Sequence, residues 1–212
     1  MNRLFFVLII FVFTIGCNSQ NNSTNSTTKS NNNFDKEQLK KQVALLDGEW
    51  LSDNYLRNIE KTKSIYLNKE PNTKLFGFTL NKENLLSDSA NLFGFVVHEG
   101  GYESPIIFDY KKNKFVYDSK RSKENSGIPS CPFELTVIND SIIEMFFPET
   151  KTTDTYRKVT DIQTGLRKIL YTGNYNSIDK KKKISFDKNG TVKGFDNKVY
   201  YELAYDFTEG IE

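Results

Sequence analysis

The 212-residue chain carries 29 Lys and Arg against 27 Asp and Glu, a formal charge of +2, so its overall field argues for neither nucleic acid nor an acidic substrate as partner. A single histidine, His98, excludes a histidine-rich metal site and most histidine-dependent relays, and two cysteines, Cys17 and Cys131, exclude a disulfide framework. Hydrophobic residues make up 37%, but 17 Phe and 11 Tyr weight the apolar set toward strand formers and toward an aromatic core.

In chain order, Met1-Asn2-Arg3 gives a basic start, and residues 4–15 are apolar apart from Thr14. That run of about 12 residues has the layout of a secretory signal and falls short of the roughly 20 that a bilayer-spanning helix needs. Its end, Thr14-Ile15-Gly16-Cys17, resembles the lipobox of bacterial lipoproteins, with Thr14 standing where a leucine is usual. The resemblance implies cleavage after residue 16, a diacylglyceryl group on the Cys17 thiol and often an acyl chain on its amine. Two or more chains anchor a protein stably where one does not. The expected location is the cell envelope, lipid-anchored to a membrane (the outer one if the cell has two), with the folded part outside the cytoplasm.

Residues 18–33 are almost wholly Asn, Ser, Thr and Gln, with Lys29 the one charge, and so are expected to form a disordered tether with Cys17 at its head. Roughly 180 residues remain for folding. In 34–46, Leu39, Val43 and Leu46 recur at three to four residues, the spacing of one helical face. From Glu49 the pattern turns to short aromatic and β-branched runs between turn clusters. Strands are expected at 48–51, 64–68, 74–80, 92–98, 106–110, 114–118, 133–138, 142–147 and 155–159. Lys111-Lys112-Asn113 and Asn139-Asp140 read as hairpin connections. The fold class that follows is mainly β, an antiparallel barrel or sandwich behind a short leading helix, occupying 34–160.

Gly48-Glu49-Trp50 follows one amphipathic segment and Gly173-Asn174-Tyr175 follows another, 161–170, which suggests two related units. The motif resembles the Gly-x-Trp signature on the first strand of lipocalin-like barrels. That resemblance implies that Gly48 and Trp50, and by repetition Gly173 and Tyr175, are structural plugs, the glycine admitting close backbone approach and the ring closing a barrel end. The unit at 161–212 contains a strong hairpin about Asn189-Gly190, with Ile184, Phe186, Val192 and Phe195 as its apolar contacts, yet is too short to close eight strands. It is expected to be a partial sheet packed on the first unit, or a shortened reading frame.

The inventory of reactive groups is sparse. His98 and Glu99 point to opposite faces of a continuing strand and stand before Gly100-Gly101, so a polar strand end is preferred to an acid–base pair. Cys131, between Pro129 and Pro132, reads as a free thiol in a constrained loop. The Lys180–Lys183 run reads as a solvated loop, and no calcium loop, phosphate-cradling loop or dinucleotide fingerprint is present. Phe76, Phe78 and Leu80, and likewise Ile143, Met145 and Phe147, form alternating rows that fill a core or line an apolar cavity, packing being the preferred reading. The functional expectation is a non-enzymatic envelope protein that needs no metal or cofactor and binds a small apolar ligand or a protein partner. The alternatives are an envelope hydrolase using carboxylates the sequence does not single out, and an assembly or immunity factor, marked by an exposed apolar patch or sheet edge.

Overall fold

A computed structural model describes residues 28–68, 75–96, 100–122 and 132–203 of the chain. Helix α1 (Thr28–Leu46) leads into strand β1 (Gly48–Ser52), then α2 (Asp53–Thr62), β2 (Gly77–Leu80), α3 (Lys82–Leu85), β3 (Asn91–Val96), β4 (Gly100–Asp109), β5 (Lys114–Tyr117), α4 (Ser119–Ser122), β6 (Glu134–Val137), β7 (Ile142–Phe147) and β8 (Thr152–Val159). These eight strands form an antiparallel barrel in sequence order, closed by β1 pairing with β8 from Glu49↔Val159 to Ser52↔Tyr156. Helix α5 (Ile162–Leu170) then connects to an open sheet of β9 (Gly173–Asn176), β10 (Lys183–Phe186), β11 (Thr191–Phe195) and β12 (Lys198–Tyr200). The mainly β class and the leading helix are as the sequence pattern predicts, and of its two alternatives, barrel and sandwich, the structure is the barrel.

Period-two alternation sorts the barrel residues into inside and outside. Trp50, Phe78, Leu80, Leu92, Ile106, Phe115, Leu135, Ile143, Met145, Phe147 and Tyr156 share one buried cluster, and Val43 and Leu46 of α1 join it from outside the sheet. An eight-stranded barrel has an interior just wide enough for side chains to fill, and aromatic and aliphatic groups fill this one. Tyr156 lies edge-on to Phe78 at 4.8 Å and donates its hydroxyl hydrogen to the Leu75 carbonyl at 3.2 Å, so the polar end of that buried ring is satisfied. The row Ile143, Met145 and Phe147 belongs wholly to this core.

A second cluster coats the outer wall at β1 and β8. Leu51 faces outward and packs with Tyr55, Leu56 and Ile59 of α2 and with Ile162 and Leu166 of α5. Phe76 also lies there, 4.5 Å from the Tyr55 ring, and so parts from Phe78 and Leu80, with which the alternation had grouped it. It stands one residue ahead of β2, where the strand's regular alternation does not extend.

Three further features depart from the sequence reading. Helix α1 starts at Thr28, taking in residues 28–33 of the polar stretch expected to be disordered; once a turn is nucleated, adding residues of middling propensity costs little. Residues 53–62, read as part of the strand region, form α2. Ser52 Oγ caps it by accepting from Tyr55 N at 3.4 Å, and Lys63 in the left-handed region (φ 54°) ends it, donating its N–H to the Ile59 carbonyl. The strand expected at 64–68 is instead a 3-10 turn, Tyr66–Asn68. There Asn68 Nδ2 bonds the Ser64 carbonyl at 2.6 Å and the Thr62 hydroxyl at 2.7 Å, local bonds that compete with a strand ladder.

Candidate functional site

Of the residues singled out from the sequence, Cys17, His98, Glu99 and Cys131 lie outside the described residues. Gly48 and Trp50 are at the start of β1. Trp50 is fully buried, pairs in register with Phe78, and donates its indole N–H to the Leu46 carbonyl at 2.9 Å in the last turn of α1. Lys158 stands opposite on β8, its Nζ 5.3 Å from the indole centroid and 3.2 Å from the Leu45 carbonyl. Gly48 has φ +133°, and a Cβ there would meet Lys158 Cε at 2.8 Å, so glycine gives both the turn and the room for that lysine.

The second motif has other surroundings. Gly173 opens β9 in the open sheet, and Tyr175 is 43% exposed, edge-on to Phe186 at 5.6 Å. Phe186 in turn meets Tyr201 at 5.2 Å, so the sheet carries an aromatic row that is only partly covered. The Asn189-Gly190 turn joins β10 to β11 as expected, and Val192 is buried, whereas Phe195 is 47% exposed. Lys180–Lys183 is exposed, with Lys182 Nζ 2.5 Å from Asp196.

The sheet is fastened to α5 through Arg167. This side chain is buried, its guanidinium 5.5 Å from the Tyr200 ring centroid and 5.3 Å from that of Tyr201. Nη2 donates to the Tyr201 carbonyl at 3.0 Å and to the Tyr200 hydroxyl at 3.3 Å, while Nε has no hydrogen-bond partner among the described residues. Gly190 (φ +91°) lets the turn close over it; a Cβ there would come within 2.6 Å of Tyr200 and 3.0 Å of Arg167. Alongside, the Gln163 side-chain amide bonds both the carbonyl and the N–H of Leu203, at 2.8 and 3.0 Å.

This docking completes a groove outside the barrel. A concavity of about 460 Å³ runs between α2 and α5 over β8, its apolar floor made by Leu56, Val159 and Ile169. Lys63 enters from the end of α2, Lys168 from the last turn of α5 and Lys188 from the β10–β11 turn. Lys63 Nζ reaches the Ile169 carbonyl at 3.1 Å, tying the ends of the two helices. Arg157, outward on β8, pairs with both Asp53 and Glu60, the latter at 3.1 Å. Burial alone would lower the Arg157 pKa, but its hydrogen bonds and charge interactions with Asp53 and Glu60 more than offset this and raise it. Both carboxylates beside the groove are thus engaged. Lys168 and Lys188 make no ion pair among the described residues, and Thr160 and Thr164 add hydroxyls to the rim.

No sequence motif marks this site. Its cations come from separate elements, so only the packing of α2 and α5 on β8 assembles them. The described residues contain no group of three or more His, Cys, Asp and Glu arranged to hold a metal, and no helix among them is long and apolar enough to cross a membrane. Comparison of the chain with protein families, curated proteins and solved structures returned no match in any of the three.

Proposed function

We propose that the chain is a lipid-anchored protein of the bacterial cell envelope, held through Cys17, in which the barrel is a scaffold and the groove on its outer wall binds a small ligand with an apolar part. On this reading Gly48 and Trp50 plug the barrel beneath α1, and Gly173 and Tyr175 repeat the motif in a unit that serves the surface. The observation that carries the reading is the contrast between a barrel interior occupied by its own side chains and an external groove of about 460 Å³ with an apolar floor. Ligand sites fall between roughly 300 and 1,000 Å³ and combine such a floor with a few polar groups.

Two measurements on the full chain test it. Metabolic labelling with a radioactive fatty acid, comparing wild type with Cys17→Ser, reports the anchor: label on wild type alone is expected, and label on neither contradicts it. Titration with the neutral fluorescent probe N-phenyl-1-naphthylamine reports the groove. One probe per wild-type chain is expected and none for Thr164→Trp, which fills the groove from α5; equal binding by both, or by neither, contradicts the assignment.

The open sheet favours a second reading, a surface for a protein partner. Strands β9 and β12 each have one neighbour in the sheet, and Val199 and Ile178 stand exposed beside them. Unpaired edges of this kind accept a strand from another chain. Photo-crosslinking from position 199 in the native host tests it, discrete adducts supporting that reading and their absence opposing it.

A further inference from the structure

From the cationic side chains lining the groove, we infer that its ligand carries a phosphate group that leaves it with a net negative charge, held by Lys63, Lys168 and Lys188. The inference rests on the groove being the binding site and adds the chemical class of what binds there.

The chain as a whole is nearly neutral, at +2, so a local excess of cations is not the by-product of a basic protein. Four cationic side chains extend along the groove: Lys63, Lys168, Lys188 and Arg157. Lys158 also lines it, but its Nζ is turned toward Leu45 and the Trp50 ring. The one carboxylate in the lining, Glu60, is bound to Arg157, and Asp53 behind it is bound to the same guanidinium. Three lysines therefore face one concavity with no carboxylate of their own among the described residues. Solvent screens the repulsion among them, since Lys168 and Lys188 are exposed, and an anion in the groove would relieve what remains.

The lysines are also placed. Lys63 is fixed at the left-handed cap of α2 and tied to the Ile169 carbonyl. Lys188 sits in a turn held by Asn189 N to Asp187 Oδ1 at 2.6 Å and by the Tyr201 hydroxyl donating to the Asp187 carbonyl at 2.9 Å, above the Arg167 contact that docks the sheet. Three separated point charges with two threonine hydroxyls suit a compact anion with several oxygens better than a single carboxylate, for which a paired guanidinium fork is the usual partner. The apolar floor suits a phosphate ester whose remaining part is hydrophobic. Two sources present that chemistry, an anionic phospholipid headgroup and a free phosphate.

The test uses the full chain in non-ionic detergent, titrated by calorimetry with inorganic phosphate, dihexanoyl phosphatidylglycerol and dihexanoyl phosphatidylcholine. One phosphatidylglycerol per chain is expected, with binding about tenfold weaker after raising salt from about 0.05 to about 0.5 M, and phosphatidylcholine weaker by a similar factor. Inorganic phosphate binding as tightly as the glycerolipid assigns the site to free phosphates; phosphate binding only weakly assigns it to headgroups. Lys168→Gln with Lys188→Gln should lower affinity by about tenfold or more, and because both side chains are exposed the thermal midpoint should not move. The inference is overturned if neither phosphate nor phosphatidylglycerol binds, if phosphatidylcholine binds equally, or if the double variant binds as wild type does. Should N-phenyl-1-naphthylamine still bind and Thr164→Trp still exclude it, the groove stands and only the phosphate is lost; if that probe also fails, the groove itself is refuted.

Discussion

The barrel and the C-terminal sheet are both antiparallel and both begin at a Gly-x-aromatic motif, yet they solve the problem of stability differently. The barrel closes on itself, leaves no strand edge, and buries Trp50, Phe78 and Tyr156 completely. The four strands of the sheet cannot close. They bury Val192, leave Tyr175, Phe195 and Val199 exposed, and hold to α5 through Arg167 against two tyrosine rings, with the Gln163–Leu203 hydrogen bonds alongside. Closure gives the barrel an interior that needs only α1 to cover it, whereas the sheet depends on α5 for its attachment. What that dependence achieves is position, since the docked sheet carries Lys188 to a groove whose other walls belong to α2, α5 and β8.

The largest effect that should separate the two regions is at Trp50. Trp50→Ala removes the largest fully buried side chain and its hydrogen bond to α1, and is expected to cost about 3–5 kcal/mol, read as a lower midpoint of urea unfolding by far-ultraviolet circular dichroism. A cost near that of a surface substitution would mean that the barrel is not organised around this ring. Arg167→Ala comes next, at about 1–3 kcal/mol, because two cation–π contacts and a hydrogen bond to the Tyr201 carbonyl are lost together. Its loss should be local. Hydrogen exchange is expected to rise in β9–β12 while β1–β8 stay protected, and uniform loss of protection would show the two regions to be one cooperative unit.

Smaller effects appear in pH dependence, all within the barrel and its coat. Burial holds the Tyr55 phenol well above its ordinary pKa of 10.0. An acid whose pKa is higher folded than unfolded contributes stability that is complete below the unfolded value and lost above it, so the protein should weaken as pH rises beyond about 10. Tyr55→Phe should flatten that part of the profile. Glu134 has the opposite sign. Its hydrogen bond to Lys112, and then that to Lys114, lower its pKa from 4.5, against the pull of burial. Its contribution is complete above 4.5 and disappears as pH falls through the lower folded value, so Glu134→Gln should remove that acid-side slope, lying slightly below wild type at neutral pH and meeting it in acid.

How far this was legible in the sequence depends on whether a feature is local. The Phe115 and Ile143–Phe147 runs announce strands because alternation is written in neighbouring residues, and the hairpins at 111–113, 139–140 and 189–190 follow from turn chemistry. Helix α2 does carry a local signal, Ser52 before Asp53, then Tyr55, Leu56 and Ile59 on one face, but it lies inside a stretch whose aromatic content reads as strand. The groove carried none. Lys63, Arg157, Lys168 and Lys188 are unremarkable lysines and an arginine in separate elements, while the one basic run visible in sequence, Lys180–Lys183, is solvated. Nor does any local pattern disclose that Arg167, beside the exposed Lys168 on α5, would be buried by the sheet that follows it.

The central claim, that binding takes place outside a filled barrel, is tested most directly by nuclear magnetic resonance of the isotopically labelled full chain titrated with dihexanoyl phosphatidylglycerol. The predicted result is a set of shifts, saturating together, at Lys63, Val159, Thr164, Lys168 and Lys188. Shifts concentrated instead on the inward-facing residues Leu92, Leu135 and Met145 would place the ligand inside the barrel and contradict the account.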